Sequence, residues 1–283
     1  AYTIAQTSTS QTVTVTLGSD ASLSTTTAVS VFMMILPGTQ SGDITIELEI
    51  GGSWKSMTKT PPAGGFVRGK KYNIAVLHDS RDGNLYSYKT IGTQVWMTEN
   101  LAYLPSVVGP GTGSNSTAYY YVYGYDGTDV DAAKATSNYT TYGVLYNWPA
   151  AMSGAASSSA DPSGVQGICP TGWHLPSDAE WTTLTTYLGG ESVAGGKMKE
   201  AGESHWTSPN TGATNESGFT ALPGGYRRRN GAFANVGYYG YWWSSTQLGT
   251  SNAWSRTLSY NLSTVGRNTN HKENGFSVRC LRD

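Results

Sequence analysis

The chain of 283 residues is poor in charge and has no long apolar run. Only 13% of its residues are charged and the formal net charge is −1, so no basic surface favours a nucleic acid as partner. No apolar stretch approaches the roughly 18 residues that a membrane-spanning helix needs. The start at Ala1 shows no signal-peptide pattern, so we expect a processed or partial chain.

The motifs of several enzyme classes are also absent. There is no Gly-x-Ser-x-Gly elbow, no Walker phosphate loop and no His-Glu-x-x-His zinc motif. No two of the four histidines have metal-ligand spacing. Glutamates are scattered, and the sequence shows no carboxylate pair of the kind that glycoside hydrolysis requires. We therefore predict a non-catalytic protein without a resident metal or cofactor.

Glycine and polar-tipped aromatic residues are abundant. The chain contains 35 Gly, 19 Tyr and 9 Trp but only 5 Phe. Tyrosine and tryptophan suit half-exposed surfaces better than dry cores, because each has a polar group on an apolar ring. This composition is typical of a secreted, loop-rich and mainly β protein.

Residues 1–78 are predicted to form strands. Apolar and polar residues alternate with period two at 13–17 and at 44–50. A run at 29–36 that is apolar except at Ser30 fits a strand buried on both faces, and residues 72–76 give a fourth candidate. Two packed sheets usually need about seven strands, so we expect a partial β-sandwich with an edge open to strand addition.

A cluster of polar turn residues at 78–83 predicts a boundary, after which residues 79–283 form a second domain. One helix in this domain is well signalled, because Ser177 and Glu180 have capping-box spacing and Gly189-Gly190 ends the apolar face. A weaker helix is predicted at 191–201. The best strands lie at 241–245, 253–260 and 276–281, so the domain is predicted to be α+β.

The only two cysteines, Cys169 and Cys280, open and close one stretch of this domain. Their spacing suggests a loop of roughly a hundred residues closed by one disulfide, and a disulfide implies an oxidising compartment. His174 lies just before the predicted helix, where a satisfied, half-buried histidine bracing the turn is the favoured interpretation.

Six ordered motifs make residues 79–283 similar to the FISUMP-type major paralogous domain of bacterial surface proteins. They are GTQVWMTENL at 92–101, YGVLYNW at 142–148, CPTGWHLP at 169–176, LPGGYR at 222–227, WWSST at 242–246 and GFSVRC at 275–280. The resemblance implies a C-type-lectin-like α+β fold, related to the formylglycine-generating enzymes. The calcium-site triplets of sugar-binding lectins are absent, and so is the enzymes' additional cysteine pair.

The N-terminal part resembles the C-terminal portion of Bacteroidetes-type fimbrillins, the subunits of polymerised surface pili. The matching residues are VFMMILP at 31–37 and RGKKYNI at 68–74. The resemblance implies a fimbrillin-like β-sandwich and pilus subunits as partners through strand addition.

The tyrosines between 119 and 125 give the candidate ligand site. Tyr119, Tyr121, Tyr123 and Tyr125 would share one face if this segment were a strand, and rings of this kind can stack on sugars. The neighbouring Asp126 and the turn residues Arg228 and Asn230 add polar groups. The competing interpretation is core packing, which we favour for Trp242 and Trp243. Carboxylates within residues 126–131 give a minor calcium alternative, although the EF-hand order is absent.

The predicted function is that of an extracellular cell-surface adhesin, a pilus tip subunit that binds a glycan or a surface protein. Its location would be the bacterial outer membrane or fimbrium. Two alternatives remain open. One is an extracellular enzyme on the lectin-like fold, which paired carboxylates or a metal in one cleft would favour. The other is a purely structural pilus subunit, which a featureless distal surface would favour.

Overall fold

A computed structural model describes residues 4–5, 13–15, 44–50, 53–59 and 76–283, with side chains from Leu77 onward. The chain divides into two compact units, Ala1–Ser87 and Tyr88–Asp283. Each unit is mainly β within the described residues, as the alternating sequence patterns predict.

The first unit contains a four-stranded sheet in the order β1-β2-β3-β4. These strands are Ile4–Ala5, Val13–Val15, Ile44–Ile50 and Ser53–Lys59. The pairing of β2 with β3 is parallel and the other two pairings are antiparallel. The strand predicted at 44–50 is confirmed in full and that at 13–17 in part. The prediction at 29–36 lies outside the described residues, as does most of that at 72–76.

Near the end of this unit, β5 (Val76–His78) pairs antiparallel with the first residues of β6 (Leu85–Ile91). The second unit then holds short helices and strands in a dense succession. In chain order they are β7 (Gln94–Met97), β8 (Tyr120–Tyr121), α1 (Val130–Lys134), α2 (Ser137–Tyr142), β9 (Leu145–Tyr146), α3 (Trp148–Met152), β10 (Trp173–His174), α4 (Asp178–Tyr187), α5 (Glu191–Met198), β11 (Gly224–Arg227), β12 (Phe233–Val236), β13 (Tyr239–Leu248), β14 (Asn252–Ser259), β15 (Val265–His271) and β16 (Leu281–Arg282). No helix in the described part of the chain is long and apolar enough to cross a membrane.

Two sheets organise the second unit. In the smaller one the closing strand β16 lies between β10 and β7, and β7 pairs in turn with β6. The other sheet, which we call the larger sheet because its strands contain more residues, has the order β12-β11-β13-β14-β15, with one parallel pairing between β11 and β13. A bulge interrupts the β13–β14 ladder between Trp243 and Gln247. The larger sheet carries the candidate site on one face, as described below.

The core between the helices and the sheets is largely aromatic. The ring of Trp96 lies 4.7 Å from that of Trp181, and Phe219 contacts both of these rings and Trp242 at 5.8–6.2 Å. Such offset and edge contacts add to the stabilisation that burial of the rings provides. Trp242 and Trp243 are both fully buried, as favoured from the sequence.

The helix α4 begins and ends as its sequence predicts. The Ser177 Oγ accepts from the Glu180 amide while the Glu180 side chain accepts from the Ser177 amide, which confirms the capping box. Gly189 and Gly190 follow with φ of +103° and +95°, which a residue with a Cβ rarely adopts. The weaker helix is also present as α5, ending at Met198 rather than near residue 201.

Two buried cations, Lys199 and Arg279, link separate segments of the second unit. The Lys199 Nζ donates to the carbonyls of Thr211, Ser259 and Leu262 at 2.9–3.0 Å, and burial lowers the pKa of Lys199 to about 8. Arg279 donates to the Asn100 Oδ1 and to the carbonyls of Phe219 and Thr220, and its burial lowers its pKa to about 9. Each cation thus satisfies several oxygen acceptors inside the fold.

The predicted disulfide is present between Cys169 and Cys280, and both residues are fully buried. It joins the segment before α4 to the segment before β16. The strand predicted at 276–281 is wrong in most of its length. Phe276 and Ser277 make only isolated bridges, to Tyr146 and Trp242, and regular pairing begins at Leu281.

Candidate functional site

The tyrosine segment does not form the continuous strand that its alternation predicted. Only Tyr120 and Tyr121 pair with β9, and the chain then turns at Tyr123-Gly124, where Gly124 has a φ of +75°. A turn ends the period-two arrangement of side chains. The expectation that all four odd-numbered tyrosines share one ligand-binding face is therefore corrected.

Tyr121 in particular is unavailable to a ligand, because its exposed fraction is 0%. Its hydroxyl donates to the Thr112 carbonyl at 2.8 Å, and the Arg227 guanidinium lies 4.9 Å from its ring centroid. Burial raises the pKa of Tyr121 to about 12 although the Arg227 charge opposes the shift. The residue stabilises the 110–112 loop.

The other predicted tyrosines are half-buried, and each has a different environment. The ring of Tyr123 packs against Phe233 at 5.1 Å, and its burial raises its pKa. The backbone amide of Tyr119 donates to the Asn147 side chain. Tyr125 folds back over Gly127, where an added Cβ would lie 2.6 Å from the Tyr125 hydroxyl.

The acidic segment at 126–131 has a structural role at one of its carboxylates. The Asp129 side chain accepts from the amides of Asp131 and Ala132 at 2.9 and 3.0 Å, and so caps α1. Asp126 is exposed. Throughout the described residues, no group of three or more His, Cys, Asp or Glu is placed to hold a metal ion.

Arg228 and Asn230 lie in the exposed hairpin turn between β11 and β12. The Arg228 amide donates to the Ala232 carbonyl at 2.8 Å, and the Asn230 Oδ1 accepts from the Ala232 amide at 3.2 Å. The Arg228 guanidinium lies 5.7 Å from the ring of Tyr226. Arg228 therefore lies beside Tyr226 of the larger sheet. Its buried neighbour Arg227 lies against Tyr121 instead.

Three half-buried tyrosines form what we call the aromatic platform: Tyr226, Tyr239 and Tyr241. Tyr241 is central, because its ring lies 4.7 Å from that of Tyr226 and 6.0 Å from that of Tyr239. The period of two along β13 places Trp243 on the same face as Tyr239 and Tyr241. The platform therefore continues a row of rings that begins in the core.

Stacking with buried rings holds the platform in place. The ring of Phe276 stacks on Trp243 at 4.3 Å and on Tyr241 at 5.0 Å. The Asn235 Nδ2 donates to the Tyr241 hydroxyl at 3.2 Å. Burial raises the pKa of Tyr241 to about 12, so its hydroxyl remains protonated at neutral pH. These contacts orient the Tyr241 ring, and the Arg228 cation lies at the edge of the platform.

Two polar residues of the neighbouring strand flank the platform on one side. Ser259 and Thr257 lie opposite Tyr239 and Tyr241 in the β13–β14 ladder, and paired residues share a face of the sheet. The predictions from sequence considered Trp242 and Trp243 of β13 but assigned none of Tyr226, Tyr239 and Tyr241 to a ligand site. The alternation of Tyr239, Tyr241 and Trp243 was the available signal for a shared face, whereas the contact with Tyr226 depends on a distant pairing.

Two histidines have acidic partners. The His174 ring bridges Glu180 and Asp283 at 2.7 and 2.6 Å, and the residue is buried, so it braces the start of α4 as expected. His205 is half-exposed and its Nδ1 lies 2.9 and 3.0 Å from the two carboxylate oxygens of Glu200.

Comparison with known proteins places the second unit in a family. The model of the Fibrobacter succinogenes major domain matches residues 90–282, a range that includes all six motifs described above. No curated protein and no solved structure matches the chain. The family is one of Bacteroidetes-type surface and fimbrial-like domains, which confirms the predicted resemblance at this level. The chain belongs to the Fibrobacter succinogenes major domain family.

Proposed function

We propose that this protein is a non-catalytic cell-surface adhesin that binds glycans through the aromatic platform. The observation that carries the proposal is the row of half-buried rings at Tyr226, Tyr239 and Tyr241, which rests on the fully buried Phe276 and Trp243. Membership of a surface-type family supports an extracellular location. The single disulfide fits that location, because such bonds persist in oxidising compartments.

The chemistry of the platform suits a sugar ring. Tyrosine offers a flat apolar face, and the C–H face of a pyranose can stack on it while its hydroxyls contact polar neighbours. The rings are already fixed by packing, so little side-chain freedom is lost on binding. An aromatic surface whose rings are already oriented by packing suits a glycan chain that lies across it.

Polar groups at the edge of the platform provide hydrogen bonds. Arg228 is exposed and lies against Tyr226, and Asn230 follows it in the same turn. A guanidinium donates to sugar hydroxyls and forms stronger, charge-assisted bonds with the carboxylate of an acidic sugar. The proposed site thus keeps Arg228 and Asn230 of the sequence prediction and replaces the 119–125 tyrosines by those of the larger sheet.

The proposal also includes the predicted fold of the second unit and the predicted role of the first unit in a pilus. The fold of the second unit would be C-type-lectin-like, and the first unit would be a partial fimbrillin-like sandwich. In a pilus, the first unit would join neighbouring subunits by strand addition and the second would present the platform at the tip. The short edge strand β1 and the longer β4 are the outer strands of the described four-stranded sheet, so each is a candidate edge.

The test is a glycan array probed with the full chain, followed by affinity measurements on any glycan that binds. Tyr241→Ala and Arg228→Ala should each weaken binding roughly ten-fold, because each removes a main contact of the platform. Tyr238→Ala is the matched control, since Tyr238 is 45% exposed but lies outside the platform. A verified glycan whose affinity is unchanged in the Tyr241 and Arg228 variants would place binding elsewhere.

A further inference from the structure

A concave surface lies where the β6–β7 turn meets the last turns of α4. It is open to solvent and has a volume of about 610 Å³. Its lining includes Gly92, Thr93, Gln94, Thr183, Thr186 and Tyr187. We call this surface the threonine groove. Its residues Gly92, Thr93 and Gln94 begin the motif at 92–101, and they take no part in the aromatic platform.

Tyr187 forms an exposed wall of the threonine groove. It is the most exposed of the large hydrophobic residues in the described part of the chain, at 65%. A Cβ placed on Gly92 would lie 2.9 Å from its ring, so the peptide of Gly92 packs directly on the ring. Gly92 also has a φ of +64°, which a side chain disfavours. The turn thus supports Tyr187 closely while most of the ring stays open to solvent.

The polar lining of the threonine groove carries no charge. The hydroxyls of Thr93 and Thr186 have no hydrogen-bond partner within the described residues, whereas the Thr183 hydroxyl donates to Asp161 at 2.7 Å. The amide of Gln94 is held in a fixed orientation, because it donates to the Glu180 carbonyl and accepts from the Trp96 indole. Free hydroxyls therefore lie beside an oriented amide and an open aromatic ring.

An uncharged lining with free hydroxyls, an oriented amide and an open aromatic ring favours one class of ligand. An ionic ligand would find no counter-charge in the lining, and a purely apolar ligand would leave hydroxyl groups without partners. An extended peptide would need free backbone groups, but Ile91 and Gln94 pair with each other across the turn. A neutral saccharide offers both an apolar C–H face for Tyr187 and hydroxyls for the threonines.

We infer that the threonine groove is a binding site for a neutral saccharide unit, separate from the aromatic platform. The two surfaces lie on different sides of the larger sheet. Trp242 alternates with the platform residues along β13 and packs in the core cluster with Trp181 of α4. The inference shares its ligand class with the proposed function but depends on different residues.

The test uses the full chain and defined oligosaccharides. Saturation-transfer NMR would be run with the neutral probes cellotetraose, xylotetraose, mannotetraose and maltotetraose, and with tetragalacturonate as an acidic comparison. We expect at least one neutral probe to bind. Tyr187→Ala should weaken its binding roughly ten-fold, and Tyr187→Phe should keep it within about two-fold, because the stacking ring is retained.

The variants separate this site from the platform. Because Tyr187 is exposed, its substitution should leave the unfolding midpoint unchanged. A neutral probe that responds to Tyr187→Ala and not to Tyr241→Ala supports the groove. The opposite response overturns the groove and leaves the platform supported. Binding of none of the neutral probes, or the same affinity in Tyr187→Ala and the unchanged chain, also overturns the inference.

Discussion

The Nη1 of Arg256 lies 2.6 Å from the Oδ1 of Asp178, which joins β14 of the larger sheet to the first turn of α4. The Nη2 of the same guanidinium donates to the Asp178 carbonyl and to the Thr182 hydroxyl. Burial by itself raises the pKa of Asp178, but hydrogen bonds from Arg267 and Arg256 outweigh it and hold the pKa below its usual value.

We predict that Arg256→Met lowers the free energy of unfolding by about 3 kcal/mol, because it removes the fully buried partner of a carboxylate. This loss lies near the lower end of the range that is usual for a buried ion pair without one partner, because Arg267 still pairs with Asp178 at 2.7 Å. Arg267→Met is the matched control. Its side chain is 41% exposed, so we expect a loss of about 1 kcal/mol or less. Urea unfolding gives both values, and equal losses would contradict this account.

The His174 bridge predicts a pH dependence of stability. Burial lowers the pKa of His174, but hydrogen bonds to Glu180 and Asp283 raise it on balance above its ordinary value of 6.5. The charged ring is thus favoured in the folded state. Its contribution is fully present below the unfolded pKa of about 6.5 and is lost as the pH rises through the higher folded pKa.

The measurement is urea unfolding at successive pH values across that window, together with an NMR titration of the His174 ring. His174→Gln should remove the contribution of His174 to the dependence of the free energy of unfolding on pH. Asp283→Asn should lower the pKa of His174 and move the loss of stability to lower pH, because one of two acceptors becomes neutral. A folded-state pKa of His174 at or below 6.5 would refute the prediction.

The sequence predicted those parts of the fold that depend on neighbouring residues. The capping box at Ser177 and Glu180 is formed between residues three apart, so it is visible in the sequence alone. The strand at Ile44–Ile50 likewise follows from its own alternation. The disulfide was predictable because the chain contains only two cysteines.

The candidate site depended on contacts between distant residues. Tyr121 has the alternation of an exposed strand, but Arg227 packs on its ring from more than a hundred residues away. Tyr226 and Tyr241 meet because β11 pairs with β13 in parallel, at the single register Gly225 to Gly240. Local periodicity contains no information on which strands become neighbours, so this part of the site needed the structure.

The disulfide closes a loop with a sequence separation of 111 residues. We predict that Cys169→Ala combined with Cys280→Ala lowers the free energy of unfolding by about 4 kcal/mol, because the unfolded chain loses its cross-link. Urea unfolding of the two proteins with and without a reductant gives the comparison. The reductant should destabilise the unchanged chain and leave the variant unaffected. A variant as stable as the oxidised chain would exclude a stabilising role for the bond.

The Arg227 side chain holds the loop that covers Tyr121, so we predict that its substitution destabilises that loop. Its guanidinium donates to the carbonyls of Pro110, Thr112 and Glu273 at 2.6–3.0 Å. Arg227→Met would leave these acceptors without their donor and should lower the free energy of unfolding by about 2–3 kcal/mol. Amide exchange should increase most around residues 109–117, because the loop loses the side chain that holds it.

Arg227→Lys tests whether charge or geometry matters at this position. A lysine keeps the charge, but it has three donors on one nitrogen and cannot reproduce the planar fork of the guanidinium, so we expect only partial rescue. Arg229→Met is the control for a lost arginine, since Arg229 is exposed in the adjoining turn. It should change stability by less than about 0.5 kcal/mol. If Arg227→Met left exchange in the loop at the level of the Arg229 variant, packing of Tyr121 and the backbone alone would hold the loop, and the guanidinium would have no role in positioning it.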